Sequence, residues 1–190
     1  AGRDYFVLTT NVDHAFQRAG FDKERLFYTQ GDFGLFQSSR PTGASAEKTY
    51  DNEEQVRAML GAQGFTFAPN GALLLPEDGA PLMEVPAHLI PYCPDDGTEM
   101  TTNLRVDASF VEDAGWHAAA SRYEDWLAHS EGRRMLLLEL GVGANTPGII
   151  KYPFWRITAA RADVTLAAIN LGAYVPDEIR GRSIALDGNL

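Results

Sequence analysis

The stretch Asp4–Gly31, DYFVLTTNVDHAFQRAGFDKERLFYTQG, decides how the rest of the chain is read. It opens with a short apolar run, Tyr5–Leu8, closed by the polar break Thr9–Thr10. A run of that length fits a strand buried on both faces better than a helix. Asn11, Val12 and Asp13 follow, so a carboxamide and a carboxylate stand two positions apart at the strand's carboxyl end. Open α/β sheets bind ligands at that end. His14–Ala19, stopped by Gly20, reads as a short capped helix, and Phe27–Gln30 reads as a second short strand ending at Gly31. On local pattern alone, Asn11 and Asp13 serve equally well as a turn former and a helix cap.

Further along, Met135–Leu140 (MLLLEL) reads as a central parallel strand, with Thr165–Leu171 and Ser183–Leu186 as two more strands. Phe154–Ala162 is the expected crossover helix, and strand, helix, strand at this spacing gives a parallel α/β sheet. Trp116–Ser130 is a helix whose Trp116, Ala119, Ala120, Tyr123 and Leu127 recur at helical spacing and face the core. The middle of the chain is less regular. Phe33–Gly43 reads as a loop. Tyr50–Gly64 reads as a helix with Asn52 as N-cap and Glu53–Glu54 at its positive end. Phe65–Phe67 and Leu73–Leu75 flank Pro69–Asn70–Gly71–Ala72, a hairpin signal, and a proline-rich connection from Pro76 to Pro94 leads into CPDDGTEM. The expected organisation is a Rossmann-type domain built from residues 1–32 and 106–190, with residues 33–105 as a small irregular subdomain.

Acids outnumber bases 26 to 16, and no basic cluster exceeds a pair such as Arg133–Arg134. The net charge of −10 therefore argues against a nucleic-acid partner. It does not argue against a dinucleotide, because backbone amides at glycine-rich turns can hold a pyrophosphate. The single cysteine, Cys93, excludes an internal disulfide and fits a reducing compartment. No apolar run reaches the length of a membrane span, and no charged-then-apolar leader opens the chain. The expectation is a cytoplasmic protein with no membrane partner.

TTNVDHAFQRAGF followed by TQGD resembles the sirtuin core. It is most similar to the macrodomain-linked (class M) bacterial sirtuins, which carry a Gln where other sirtuins have the catalytic His. That Gln is Gln30 here. Two later strings extend the resemblance. Gly141–Pro147, GVGANTP, follows a strand, and its glycines permit close backbone approach to a phosphate or ribose. Alone it also fits a tight βα turn. It resembles the sirtuin turn at the nicotinamide-ribose and phosphate side of NAD, with Asn145 and Thr146 as the polar groups. Asn170 matches the sirtuin Asn that contacts the adenosine ribose. The resemblance thus implies a sirtuin-like α/β fold, NAD as cofactor, and Thr10, Asn11, Asp13, Gly141, Val142, Gly143, Asn145 and Asn170 around it. Tyr152, Phe154 and Trp155 beside the loop would either cover a cofactor or pack under the sheet.

In the sirtuin scheme Asn11 and Asp13 surround the nicotinamide ribose and Gln30 stands at the reaction centre. A carboxamide does not titrate near neutral pH, so Gln30 cannot be a general base, although it can orient a ribose or a nucleophile. This implies transfer of ADP-ribose rather than deacylation. The resemblance names a protein substrate, a lipoylated carrier protein, and release of nicotinamide. His14 is an alternative base by residue type, with a surface or packing role as its plainer reading. A module that only binds NAD or ADP-ribose, and an NAD-dependent deacylase, are the alternatives.

Two departures matter. The four zinc cysteines of sirtuins align with Ser38, Thr42, Cys93 and Asp96, and one thiolate is too few for tetrahedral zinc, so no metal is expected. The family's glycine-rich turn, the helix after it and its arginine-bearing loop have no counterpart here. The resemblance therefore implies either a piece of a longer polypeptide or a reduced homologue. It also implies a sheet edge that meets a partner chain, the missing N-terminal segment or a second copy.

Overall fold

The structure, a computed structural model, describes residues 4–77 and 79–188. Residues 1–3, 78, 189 and 190, which fall within the expected domains and the proline-rich connection, lie outside the described residues. In chain order the elements are β1 (Val7–Thr9), α1 (Ala15–Arg18), β2 (Leu26–Tyr28), β3 (Gly31–Ser38), β4 (Tyr50–Asp51), α2 (Glu53–Ala62), β5 (Thr66–Phe67), β6 (Leu73–Leu74), β7 (Met100–Leu104), α3 (Ala114–His129), β8 (Met135–Leu140), α4 (Lys151–Ala160), β9 (Val164–Asn170) and β10 (Ser183–Asp187). The fold is α/β, with parallel and antiparallel sheets. No helix among the described residues is long and apolar enough to cross a membrane.

The chain divides into two interleaved compact units. The first comprises residues 1–10, 21–29 and 119–190, and the second residues 11–20 and 30–118.

The first unit holds two parallel sheets. β1 pairs with β2 from Val7–Leu26 to Thr9–Tyr28, and β10, β9 and β8 form a three-stranded sheet in that order. Alternate residues of β8 and β9 turn to one face: Met135, Leu137, Val164, Leu166 and Ala168 are buried against Ile150, Phe154, Val175 and Ile179. Leu166 is fully buried, and removing a side chain of that size from water contributes about 1.5–3 kcal/mol. α4 crosses from β8 to β9 and supplies Phe154 to this core; its Pro153 sits in the first turn, where no intrahelical N–H is needed. The other sheet face is apolar and exposed. In register, Leu138, Ala167 and Ile184 form one row across the three strands, and Leu140, Ile169 and Leu186 form the next. Five of these six and Leu136 are bulky or branched, and all the leucines and Ile184 lie open to solvent. The continuous apolar run of MLLLEL thus signals a strand with one buried and one exposed leucine face at the edge of its sheet, not the central strand expected. β9 is central.

Elsewhere in this unit Phe6, Phe27, Tyr123 and Trp126 make an aromatic cluster, with Phe6 and Tyr123 centroids 5.4 Å apart. Burial there pushes the Tyr123 hydroxyl up to about 12.

The second unit is built on an antiparallel sheet in the order β4, β3, β7. The segment Phe33–Gly43, expected as a loop, contributes most of the eight-residue strand β3, Gly31–Ser38. Beside Phe36, its buried residues Asp32, Gln37 and Ser38 are polar, which hid the strand. Gln37 is buried, donates to the Ser109 carbonyl at 2.7 Å, and accepts from Asn103 Nδ2 at 2.8 Å and the Val111 amide at 3.0 Å. Gly31 does not end β2. It opens β3 at φ 109°, and a Cβ there would lie 2.0 Å from the Asn103 carbonyl oxygen, so only glycine fits. The helix α2 runs over Glu53–Ala62, shorter than the Tyr50–Gly64 expected because Tyr50 and Asp51 pair with β3 as β4, and Asn52 does not cap it with its side chain. Asp51 Oδ1 accepts from the Glu53 amide at 3.1 Å, while Asn52 turns inward and donates to the Phe33 carbonyl at 2.8 Å. The Asn70–Gly71 turn joins β5 and β6 as an antiparallel hairpin.

Candidate functional site

In the second unit the segment after β1 and the turn before β3 bring several of the expected residues onto neighbouring backbone. The Phe33 amide donates to the Val12 carbonyl at 3.1 Å, joining the NVD segment to β3. Asn11 is exposed. Asp13 is exposed too, and its Oδ1 accepts from the Ala15 amide at 3.0 Å, so it caps α1. The helix-cap reading of Asp13 is therefore met, which leaves its other oxygen facing solvent. Gln30 is half-buried in the turn after β2; its carbonyl accepts from the Arg105 amide at 2.9 Å, which fixes its backbone. Its carboxamide makes no hydrogen bond among the described residues.

The residue that sequence reasoning undervalued is His14, and the ones it missed are Asp32 and Gly34. His14 Nε2 is hydrogen-bonded to Asp32 Oδ1, and the same oxygen accepts from the Gly34 amide at 2.7 Å. Asp32 is buried. It stands where the pairing of β3 with β7 slips, between Asp32 and Phe36, and such a slip re-aims side chains locally. The Asp-x-Gly of QGDFG was visible as a string, but nothing in its spacing ties it to His14.

In the first unit the GVGANTP residues form a largely exposed loop at the carboxyl end of β8. Gly141 continues the sheet pairing by donating to Ile169 at 3.0 Å, then the chain leaves the sheet. Asn170, at the end of β9, donates from Nδ2 to the Val142 carbonyl at 3.1 Å. The structure thus brings Asn170 and the Gly141–Gly143 turn together, while Asn145 is exposed further along the loop. Thr10 is half-buried just after β1. Tyr152 is exposed and tilts against Trp155 at 5.4 Å, whereas Phe154 belongs to the core.

Beneath this loop lies a buried ion pair that the apolar look of MLLLEL concealed. Glu139 Oε2 meets Lys151 Nζ at 2.7 Å; the Glu139 side chain is 2% exposed and that of Lys151 12%. Among the described residues Glu139 Oε1 has no hydrogen-bond partner, and neither has the buried Trp155 Nε1. A charge in a buried strand requires such a partner, so Lys151 at the start of α4 is tied to the end of β8.

The positions aligned with zinc cysteines form a hydroxyl and carboxylate network. Ser38 Oγ and Thr98 Oγ1 are 2.6 Å apart, Asp96 accepts from Thr98 at 2.6 Å and from Ser45, and Ser45 donates to the Thr42 carbonyl at 3.1 Å. Hydrogen bonds from Ser45 and then Thr98 hold the Asp96 carboxyl well below the usual carboxylate range. Cys93 is buried and contacts the Tyr50 hydroxyl at 3.3 Å. Desolvation, then the hydrogen bond Tyr50 donates to Asp95, pushes the Tyr50 hydroxyl above its ordinary range. The four aligned positions are each engaged by a neighbour, Thr98, Ser45 or Tyr50, and a single thiolate among them is a donor set unsuited to zinc.

No family model matches the chain. Comparison with known proteins relates it to enzymes named for ADP-ribosyl transfer. Over 187 residues, 97% of the chain, it is 34% identical to a Staphylococcus aureus (strain Mu50) protein named "Protein ADP-ribosyltransferase". Over 198 aligned residues, 100% of the chain, it is 29% identical to a Fusarium oxysporum f. sp. cubense protein named "Probable bifunctional ADP-ribose hydrolase/ADP-ribosyltransferase". The chain spans 53% of the first relative and 30% of the second, about half or less of their length.

Proposed function

We propose that the chain is the transferase part of an NAD-dependent protein mono-ADP-ribosyltransferase of the sirtuin type. The observation that carries this reading is the 34% identity, along nearly the whole chain, to a protein named "Protein ADP-ribosyltransferase". The TTNVD, TQGD, GVGANTP and AIN strings support the sirtuin type and the bacterial class M within it. On this reading residues 1–32 with 106–190 form the Rossmann-type NAD-binding domain and residues 33–105 the small subdomain. NAD is the donor substrate, and Thr10, Asn11, Asp13, Gly141, Val142, Gly143, Asn145 and Asn170 contact it. Asn11 and Asp13 hold the nicotinamide ribose. Gln30, whose carboxamide does not titrate and makes no hydrogen bond among the described residues, orients the reacting groups. The acceptor is a protein, with a lipoylated carrier protein as the first candidate, and the setting is the cytoplasm.

The test is calorimetric titration with NAD and with ADP-ribose, followed by transfer of labelled ADP-ribose from NAD to a purified lipoylated carrier protein. Saturable binding weakened by Asn11→Ala or Asn170→Ala, with transfer lost in Asn11→Ala, is the expected result. Binding without transfer would assign the chain a binding role, and NAD-dependent hydrolysis of an acyl-lysine peptide would assign it to deacylases. Either outcome overturns the reading.

A further inference from the structure

We propose that His14, held through Nε2 by the buried carboxylate of Asp32, is the proton acceptor of the transfer step. The inference rests on the transferase reading above and adds to it the base that Gln30 cannot be.

Four features of one small region converge on the His14 ring. First, His14 is the only non-glycine residue with positive φ among the described residues, at φ 58° and ψ 18°. Such a conformation costs on the order of 1–3 kcal/mol and persists where the surroundings impose it. Local helix stability does not account for it. His14 occupies the N-cap position of α1 without a side-chain capping bond, and Asp13 performs the capping instead. Second, the strain delivers the ring to Asp32, whose side chain is only 8% exposed. Third, Gly34 is shaped around the pair. A Cβ on Gly34 would lie 2.8 Å from His14 Cε1 and 3.1 Å from Asp32 Oδ1, so any other residue would push into the ring. Fourth, the ring is not sealed in: the His14 side chain is 40% exposed, and Nδ1 has no partner among the described residues.

These features define a base and its orienter. An ionised carboxylate only accepts, so the neutral imidazole carries its proton on Nε2 and presents the lone pair of Nδ1 outward. The buried Asp32 fixes that tautomer and stabilises the imidazolium once it forms, as orienting carboxylates do for other catalytic histidines. Asn11, Asp13 and Gln30 belong to the same unit as the pair.

The chemistry balances without a further reactant. The nucleophile is an acceptor that carries a proton, a hydroxyl or an amine. Its lone pair forms a bond to the anomeric carbon of the nicotinamide ribose. The bond from that carbon to the pyridinium nitrogen breaks, and its electron pair leaves with neutral nicotinamide. The proton of the nucleophile passes to His14 Nδ1, and the imidazolium later releases it to solvent.

The test compares wild type with His14→Gln, His14→Ala and Asp32→Asn, reading nicotinamide release from NAD with a purified lipoylated carrier protein as acceptor. His14→Gln is the decisive variant, because its carboxamide can still donate to Asp32 and hold the clamp but cannot accept a proton. A base of this kind contributes about 100-fold to 10,000-fold. The expected result is a loss in kcat of at least about 100-fold in His14→Gln, with KM for NAD within about threefold and an unchanged melting temperature. Added imidazole should restore part of the activity of His14→Ala, which a merely structural histidine would not show. A smaller loss in His14→Gln, or no rescue of a folded His14→Ala, overturns the inference while leaving the transferase reading intact. A wild-type protein that releases no nicotinamide with NAD and the carrier refutes both together.

Discussion

Substituting Lys151 by Met isolates the energetics beneath the GVGANTP loop. Met keeps the length of the stem and deletes the ammonium, so Glu139, 2% exposed, would be left with neither oxygen partnered among the described residues. Breaking a buried pair by removing one member costs about 3–5 kcal/mol, because the remaining ion is left desolvated. Lys151 retains 12% exposure, so water can follow the vacated path, and the lower end, about 3 kcal/mol, is the expected loss. For a chain of this size that lowers the melting temperature by about 6–12 °C. The double variant Glu139→Leu/Lys151→Met should recover most of the loss or exceed wild type, since it also removes the unpartnered Oε1. Urea unfolding and thermal melts of wild type, both single variants and the double variant close the cycle. A Lys151→Met protein within about 1 kcal/mol of wild type, or a double variant no better than the single, would refute the argument.

Three further outcomes are expected. Gln37→Leu strands the Val111 amide and the Ser109 carbonyl in the interior of the second unit, and urea unfolding should show a loss of about 3 kcal/mol, whereas Gln55→Leu at a half-buried site should cost clearly less. Asp96 has a depressed folded-state pKa, so its contribution is complete above the unfolded carboxylate value of about 3.9 and fades as pH falls through the lower folded value. Urea midpoints should therefore fall more steeply below about pH 4 in wild type than in Asp96→Asn, and parallel curves would contradict this. The exposed apolar rows of β8–β10 should bind a hydrophobic dye, and Leu138→Lys with Ile184→Lys should abolish that signal while changing stability by about 1 kcal/mol or less.

What could be read from the chain and what could not divide along physical lines. The β8–α4–β9–β10 succession was legible because parallel strands are long apolar runs and the crossover helix is short. The GVGANTP turn and Asn170 were legible because sequence position places them at strand ends. β3 and β7 were not, since Gln37 and Asn103 satisfy each other inside the sheet, Ser38 is satisfied by Thr98, and all three read as loop residues from outside it. The edge position of β8 was hidden because an apolar run carries no sign of which face is covered. Glu139 was passed over for the same reason: one charge in six residues does not break the pattern, yet it needs Lys151 twelve positions on. His14 shows the limit most clearly. Its residue type suggested a base, but its backbone strain, its buried partner and the glycine that makes room for it arise only when α1 meets β3.

The interleaving of the two units also sets an order on biosynthesis. As the chain emerges from a ribosome, every residue of the second unit has been made once Ala118 is out. The first unit must still wait for Ala119 onward, although β1 and β2 precede residues 30–118 in the chain. Phe27, buried in the finished protein, is therefore made well before Tyr123, the ring that packs against it. Long-range closures of this kind form slowly and leave apolar surface open to wrong associations. The newborn chain is thus most vulnerable between completion of its second unit and arrival of MLLLEL, and chaperone demand should concentrate in that interval.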